Sequence, residues 1–241
     1  MLEIVGIVFI IQILFFAFAS YFKTDKVTDL SYGLTFVFLA LYMLSQNPQQ
    51  LLVLSLPIAW GIRLSWYLFA RIMRTKTDKR FDGVREKFWP FARFWFLQAI
   101  SIAIISLPFI FYGQNQDLQT HWLGVVIFIL GLSIETVADY QKYYFKNQGN
   151  TGLITTGLWR FSRHPNYFGE MLVWWGIYLA VFPTLNGWQY ASILSPVYIT
   201  LLLIFGSGVP TLEKNYQQKY GQAWLDYKQK TSCIIPWFPR A

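Results

Sequence analysis

The chain has 241 residues, of which 55% are hydrophobic, 20% aromatic and only 13% charged, with a formal net charge of +8. Because a soluble domain carries roughly 25% charged residues, this composition excludes an ordinary soluble protein and favours an integral membrane protein. The single cysteine, Cys233, excludes an internal disulfide bond. The sequence contains no metal-ligand motif, so no bound metal is expected.

Apolar segments along the chain predict an all-α polytopic membrane protein with seven transmembrane helices and an amphipathic C-terminal segment. The predicted spans are residues 4–22, 30–45, 51–71, 94–112, 122–144, 166–182 and 190–209. We interpret the first span as uncleaved although Ala17-Phe18-Ala19 imitates a signal-peptidase site, because Glu3 replaces the positive n-region. Residues 1–241 are therefore predicted to form a single integral membrane domain.

The basic residues predict the orientation of these spans. The loops at residues 46–50, 113–121 and 183–189 contain no Lys or Arg. Every Lys and Arg outside the spans falls in the remaining loops or in the C-terminal segment. The positive-inside rule then places the N-terminus outside and the C-terminus in the cytoplasm.

Four charged residues fall within predicted spans: Arg63, Glu135, Asp139 and Glu170. A charge at the bilayer centre costs at least about 2.5–3.5 kcal/mol, so such residues normally face the helix bundle or a cavity. Glu135 and Asp139 are four residues apart on one helix face, and Arg63 could neutralise one of them. These charges could line a functional site or form a buried ion-pair network that only holds the bundle together.

Residues 157–170 concentrate polar side chains immediately before an apolar helix. Pro165 disfavours helix at the preceding residue and suits the first turn of a helix that begins there. Asn166 and Glu170 then share one face of this helix. Three basic residues lie just before its N-terminus, a position that suits an anion such as phosphate: Arg160, Arg163 and His164.

Aromatic residues recur at helical spacing in the C-terminal segment. Tyr216, Tyr220, Trp224 and Tyr227 are separated by four, four and three residues, which predicts one amphipathic helix with an aromatic stripe. This helix could lie in the membrane interface or form a lid over a site.

The motif Arg163-His-Pro-Asn-Tyr-Phe-Gly-Glu170, preceded by Gly157-Leu-Trp and followed by Glu213, Tyr220, Tyr227 and Ile235-Pro236, resembles the steroid 5α-reductase superfamily. The chain is most similar to its bacterial DUF1295 branch, which implies a bacterial inner membrane. The Arg-His-Pro core is shared with sterol reductases and with isoprenylcysteine carboxyl methyltransferases. The reductase resemblance implies seven helices, a cytoplasmic NADPH site at about residues 135–241 and a hydrophobic, enone-containing substrate.

Several residues match functional positions of that family. Asn166 and Glu170 correspond to residues beside the nicotinamide, Asp139 to an acidic residue of the cofactor wall, and Lys146 to a phosphate-binding position. Arg63 falls near the family's third-span arginine and is expected, with Asn166 and Glu170, to act in catalysis.

The remaining cofactor-binding positions implied by this reading are Arg160, Arg163, His164, Tyr220 and Tyr227. The chain departs from the steroid enzymes at Trp60, where they place a substrate-polarising tyrosine.

Three functions follow. The first is an NADPH-dependent reductase of an activated C=C bond in a lipid-like or steroid-like substrate. The second is a methyltransferase that uses S-adenosylmethionine, and the third is a non-catalytic membrane scaffold. The cluster of Lys142, Lys146, Arg160 and Arg163 favours NADPH, because S-adenosylmethionine carries no phosphate. The expected partners are the lipid bilayer and a hydrophobic small molecule, with no nucleic acid.

Overall fold

The structure is a computed structural model that describes residues 2–116 and 118–240. In this part of the chain the α-helices are α1 (Leu2–Tyr21), α2 (Thr28–Gln46), α3 (Leu51–Thr75), α4 (Phe88–Tyr112), α5 (Trp122–Asn147), α6 (Pro165–Val181), α7 (Leu194–Phe205), α8 (Val209–Tyr220) and α9 (Gln222–Lys230). Short 3-10 turns lie between several of them. The β-type pairing within the described residues is one isolated bridge between Ser162 and Ser232. The predicted all-α fold class is confirmed.

Six helical segments of the described chain are long and apolar enough to cross a membrane. They are Leu2–Tyr21, Thr28–Gln46, Pro48–Thr75, Phe88–Tyr112, Trp122–Asn147 and Gly187–Tyr220. With 17 residues, α6 lies at the lower end of the roughly 17–25 residues that a spanning helix needs. Large apolar side chains are exposed along the helices, including Leu14 and Trp66. The chain is an integral membrane protein, whereas its orientation stays a prediction.

The helices extend beyond the predicted apolar spans into charged sequence. The third continues to Thr75 and the fifth to Asn147. The fourth begins at Phe88, six residues before the predicted start, with Pro90 in its first turn, where a missing N–H costs little. Hydropathy locates the apolar part of a helix, whereas Lys, Arg and Gln are good helix formers that prolong it into water.

Close packing divides the chain into two compact units. The first contains the chain up to His121 together with Ile177–Ser195, and the second contains Trp122–Gly176 and the chain from Pro196 onward. All the residues assigned to cofactor binding fall within the second unit. The predicted cofactor-binding half at about residues 135–241 stays a prediction.

In the first unit, α2 packs on α3 through two glycines. A Cβ atom added at Gly61 would lie 2.7 Å from the carbonyl oxygen of Gly33, so the two helix backbones are in contact. A polar seam crosses the unit nearby. Gln12 donates to the Thr35 hydroxyl at 2.7 Å, and Gln98 donates to the Gln12 side-chain oxygen at 2.9 Å. These hydrogen bonds satisfy polar groups that would have no hydrogen-bond partner in the hydrocarbon of the bilayer.

Ion pairs join the loop after α1 to the loop after α3. Asp25, whose side chain is 2% exposed, accepts from Arg85 at 2.6 Å and from the Asp78 N–H at 2.7 Å. Arg80 bridges Asp29 and Asp78 at 2.7 and 2.6 Å. Burial opposes ionisation of Asp78, but the bond from Arg80 prevails and lowers the pKa of Asp78. The two loops are therefore held together at one end of the unit.

In the second unit, α5 and α6 meet through two pairs of glycines. A Cβ at Gly131 would lie 2.7 Å from the Gly169 carbonyl oxygen, and a Cβ at Gly176 would lie 2.8 Å from the Gly124 carbonyl oxygen. The two glycines on each helix are seven residues apart, so both pairs fall on one seam. Small residues allow such close approach between helices in membranes.

The C-terminal segment is two helices rather than the single amphipathic helix predicted from its aromatic spacing. Gly221 has a φ of +53° and separates α8 from α9. Since glycine adopts this conformation without a Cβ clash, the helix breaks there. Trp224 and Tyr227 beyond the break are 1% and 8% exposed. Part of the aromatic stripe is therefore packed inside the second unit.

The glycine seam predicts a position-dependent cost for added methyl groups. We expect Gly131→Ala and Gly169→Ala each to lower the free energy of unfolding by about 1–3 kcal/mol, because the new Cβ meets backbone atoms that cannot yield. Thermal melts in mild detergent measure this effect. Gly6→Ala is the control, because a Cβ at Gly6 in α1 has no heavy atom within 4 Å. Equal melting temperatures for all three variants would contradict the seam.

Candidate functional site

The loop before α6 is held against α5 by local hydrogen bonds. Gly157 has a φ of +62°, which turns the chain toward α5. The Leu158 N–H donates to the Gln141 side-chain oxygen at 2.9 Å. The indole of Trp159, which is 2% exposed, donates to the Ala138 carbonyl at 3.0 Å. This turn fixes the position from which Arg163 and His164 project.

The chain after α9 folds back along the same loop. Arg163 N–H donates to the Ser232 carbonyl at 2.8 Å, and the Ser162 hydroxyl donates to the Ile234 carbonyl at 2.8 Å. Trp237 N–H donates to the Phe161 carbonyl at 2.9 Å. The tail therefore pairs with the loop almost as a short strand would.

Tyr227 on α9 strengthens this attachment. Its hydroxyl donates to the Trp159 carbonyl and lies 3.3 Å from the Ser162 carbonyl oxygen. Burial raises the pKa of Tyr227, so its hydroxyl remains a donor at every physiological pH. Tyr227 was assigned to the cofactor pocket, and the structure places its hydroxyl on the loop backbone.

The Glu213 carboxylate on α8 collects three basic side chains. Arg163 donates to one oxygen through Nε at 2.9 Å and through its terminal nitrogen at 2.8 Å, and Lys228 donates to the other at 2.8 Å. His164 Nε2 lies 3.3 Å from the same carboxylate. Arg163 also donates to the Thr231 carbonyl at 2.6 Å. These bonds join the start of α6 to α8, α9 and the tail.

His164 is buried behind this carboxylate. It is 1% exposed, and its ring stacks on Tyr167 with centroids 5.5 Å apart. Burial lowers the pKa of His164 below its ordinary value of 6.5, although the contact with Glu213 opposes this shift. His164 is therefore neutral at physiological pH, and Arg163 carries the charge of the Arg-His pair.

Three potential metal donors meet here although the sequence contains no metal-ligand motif. The donor atoms of His164, Glu213 and Cys233 all lie within 4.8 Å of one another. Two cationic side chains, Arg163 and Lys228, already occupy the carboxylate, which disfavours a divalent cation. Burial also raises the pKa of the Cys233 thiol, whereas a metal needs the thiolate. The donor set does not fit a metal site.

Two lysines on one face of α5 point toward tyrosines of α8. Lys142 donates to the Tyr216 hydroxyl at 2.8 Å and lies 4.7 Å from the centre of the Trp159 ring. Lys146, one turn later, donates to the Gly152 carbonyl at 2.7 Å and lies 3.5 Å from the Tyr220 hydroxyl. The structure thus brings together Lys146 and Tyr220, which the sequence assigned separately to the cofactor.

Three further acidic residues of the second unit lie on α5 and α6. Glu135 and Asp139 on α5 are 2% and 4% exposed. The Cβ of Glu135 lies close to α6, since a Cβ at Gly169 would be 2.8 Å from it. Asn166 and Glu170 are half-buried in the first turns of α6. Carboxylates and an amide therefore occupy the region where the glycine seam reaches the loop.

Two arginines that the sequence predicts to be site residues lie in different surroundings from these acidic and amide side chains. Arg160 is exposed at the end of the 3-10 turn Gly157–Arg160, where it can meet a ligand from water. Arg63 belongs to the first unit, in α3, where its guanidinium lies 5.6 Å from the centre of the Tyr67 ring. Its assignment to catalysis stays a prediction.

Sequence reasoning missed the roles of Glu213 and Trp159. Glu213 appeared only as part of a tail motif, and Trp159 only as part of the motif before Arg163. The available signal was that Glu213 is an isolated acid among the polar residues of α8, close to Lys214 and Lys219.

Glu213 with Arg163, His164 and Lys228 forms what we call the Glu213 cluster. This cluster predicts a large loss of stability from a small chemical change. We expect Glu213→Gln to destabilise the protein by about 3–5 kcal/mol, because it leaves Arg163 buried without its carboxylate. Thermal melts measure this loss. Asp226→Asn on α9 is the matched control, because Asp226 is exposed and bonds only to Gln222 among the hydrogen bonds described. A loss for Glu213→Gln no larger than that for Asp226→Asn would contradict the structural role of the carboxylate.

Comparison with known proteins identifies relatives that are named as enzymes of sterols or steroids. The chain is 27% identical over 165 residues to a Delta(14)-sterol reductase of Methylotuvimicrobium alcaliphilum, covering 56% of this chain and 35% of that protein. It is 25% identical over 150 residues to 3-oxo-5-alpha-steroid 4-dehydrogenase 1 of Bos taurus, covering 54% of each. It is 28% identical over 130 residues to a steroid 5-alpha-reductase of Solanum lycopersicum, covering 52% of this chain and 46% of the relative.

The aligned regions thus span about a third to a half of these relatives. No solved structure matches the chain significantly. The resemblance to the steroid 5α-reductase superfamily, predicted from the motif that ends at Glu170, is confirmed by these relatives. The model of a family described as "Protein of unknown function (DUF1295)" matches residues 15–231, and the chain belongs to this family.

Proposed function

We propose that this protein is an NADPH-dependent membrane reductase of an activated C=C bond in a lipid-like substrate. The observation that carries the proposal is the pair of lysines on α5, Lys142 and Lys146, one turn apart and facing the phenols of α8. Two adjacent cations flanked by hydroxyl groups suit a ligand with several phosphates. Two relatives are named as a sterol reductase and a steroid reductase, which supports a reductase of lipid-like substrates.

The second unit provides residues of the types that NADPH requires. Lys142, Lys146 and the exposed Arg160 would bind its phosphates, and Tyr216 and Tyr220 offer aromatic faces and hydroxyl donors. Asp139 on α5 would bind a hydroxyl-bearing part of the molecule. Asn166 and Glu170, at the start of α6, are the residues that we assign to the nicotinamide end.

When bound, NADPH supplies the hydride for the β-carbon of the substrate. The chain would supply orientation and exclude water. Asn166 offers an amide that both donates and accepts hydrogen bonds, and Glu170, one turn deeper, offers a carboxylate that orients amide donors. Arg63, one of the three arginines of α3, stays our remaining candidate for a catalytic residue, as a cation that would stabilise negative charge.

In this proposal Arg163 and His164 act on the cofactor pocket through Glu213. The Arg163 guanidinium donates to Glu213 and to the tail, and the neutral His164 lies beside the same carboxylate. These contacts hold α8, and with it Tyr216 and Tyr220, opposite the lysines of α5. The two residues would therefore position the phenols that meet the cofactor.

Cofactor choice is the first test. We expect NADPH to raise the melting temperature of the detergent-purified protein more than NADH does, because only NADPH carries a 2′-phosphate. A ligand at 100 times its dissociation constant contributes about 2.7 kcal/mol, a shift that is easily measured.

Lysine variants locate the effect. Lys142→Gln and Lys146→Gln should each reduce the stabilisation by NADPH. Lys214→Gln, which removes the same charge from an exposed position of α8, should leave it unchanged. Stabilisation by S-adenosylmethionine but not by NADPH would replace the reductase with a methyltransferase, and stabilisation by neither would favour a scaffold.

The role of Glu170 is the second test. We expect Glu170→Gln to fold with a melting temperature close to the wild-type value but to lose its response to NADPH, and Asn166→Ala to behave alike. Glu135→Gln gives the contrast, because Glu135 is 2% exposed and its loss should lower stability itself. A destabilised Glu170→Gln variant that keeps its full NADPH response would show that Glu170 is a structural charge.

A further inference from the structure

The tail after α9 borders a partly open cavity that the reductase proposal does not use. The cavity has a volume of about 270 Å³. Four cationic side chains contribute to its wall: Arg163, Lys228, Lys230 and Arg240. Trp237 and Phe238 complete it on the side of the tail. A concave surface with this many cations suits an anionic ligand.

In the described part of the chain, several carbonyl oxygens beside this cavity and the Glu213 carboxylate are already bonded. The carbonyl oxygens at the end of α9 would otherwise repel an anion. Arg163 donates to the carbonyls of Lys228 and Thr231 at 3.1 and 2.6 Å, and Arg240 N–H donates to the Lys230 carbonyl at 2.8 Å. Glu213 is neutralised by Arg163 and Lys228. Lys230 and Arg240 therefore add positive charge beyond what the carboxylate balances.

Exposed apolar side chains lie next to these cations. Ile235, Trp237 and Phe238 are 64%, 70% and 76% exposed. Pro236 and Pro239 interrupt any helix here, so the segment stays extended. Phe238 is anchored by an edge-to-face contact with Phe161, with ring centroids 5.9 Å apart. The tail thus displays a basic cavity and an apolar rim side by side.

The location of the cavity relates it to the bilayer surface. Arg163 lines the cavity, and the apolar helix α6 begins two residues later at Pro165. The end of an apolar helix is the level at which lipid headgroups meet the protein. Tryptophan beside basic residues is typical of segments that contact this layer.

We propose that this cavity binds the phosphate group of an anionic phospholipid, whose acyl chains contact Trp237 and Phe238. Phosphate esters match the cluster of guanidinium and ammonium donors, and a lipid is the ligand class that uses the apolar rim as well. The bound lipid would attach the tail to the bilayer, and through Arg163 it would support the Glu213 cluster.

Lipid binding is measured by native mass spectrometry of the full chain in mild detergent, titrated with phosphatidylglycerol or with phosphatidylcholine of the same acyl chains. We expect the wild-type protein to bind phosphatidylglycerol and to prefer it over phosphatidylcholine. The double variant Lys230→Gln/Arg240→Gln should bind phosphatidylglycerol roughly 30-fold more weakly, because each cation near an anionic lipid contributes about a factor of five. The matched control is Lys26→Gln/Lys87→Gln, which removes two exposed charges elsewhere and should bind normally.

Further measurements separate the lipid from other phosphate ligands. Trp237→Ala should weaken phosphatidylglycerol binding while leaving the cations in place, as a lipid requires. Protection of the melting temperature by inorganic phosphate equal to that by phosphatidylglycerol would overturn the lipid proposal in favour of a free phosphate site.

The double variant should retain the full NADPH response of the wild-type protein. If it loses that response, the cavity belongs to the cofactor site and the lipid proposal fails. Equal binding of the two lipids by the wild-type protein would also overturn it. Failure of NADPH binding in every variant would count against the proposed reductase and not against the lipid site.

Discussion

The polar end of the second unit depends on one carboxylate. Glu213 receives Arg163, His164 and Lys228, three groups that come from two separate parts of the chain. Arg163 is 8% exposed, and a guanidinium buried to this extent would destabilise the fold without a counter-charge. Because Arg163 lies two residues before α6 and also donates to carbonyls at the end of α9, the carboxylate fixes the start of α6 and the path of the tail together.

The motif around Arg163 therefore combines a residue that stabilises the fold with residues that we propose to bind a ligand. The motif carries the family resemblance, and an anion site at the helix N-terminus was a reasonable prediction from its charges. In the structure the guanidinium of Arg163 is directed to protein acceptors, while Lys142, Lys146 and Arg160 present the charges that a phosphate-bearing ligand could reach. A basic residue beside a candidate site can thus build the site without touching its ligand.

Much of the fold could be predicted from the sequence, because lipid imposes a strong constraint on every span. Hydropathy located the six candidate spans, and Pro165 marked the start of α6 to the residue. The break at Gly221 was missed because aromatic spacing continues across it and helix periodicity does not register one φ angle. The partnership of Arg163 with Glu213 was missed for a different reason. The residues are 50 positions apart, and local patterns carry no information on which distant charge will be adjacent.

The long sequence separation of these contacts has a consequence for biosynthesis. The loop before α6 has hydrogen-bond partners 49 to 76 residues further along the chain. At about 5–20 residues per second, the ribosome produces those partners roughly 3–15 s after the loop. During this interval α6 can enter the bilayer before Glu213, the partner of Arg163, has been synthesised. Assembly is therefore ordered, with insertion of the helices first and closure of the polar end last.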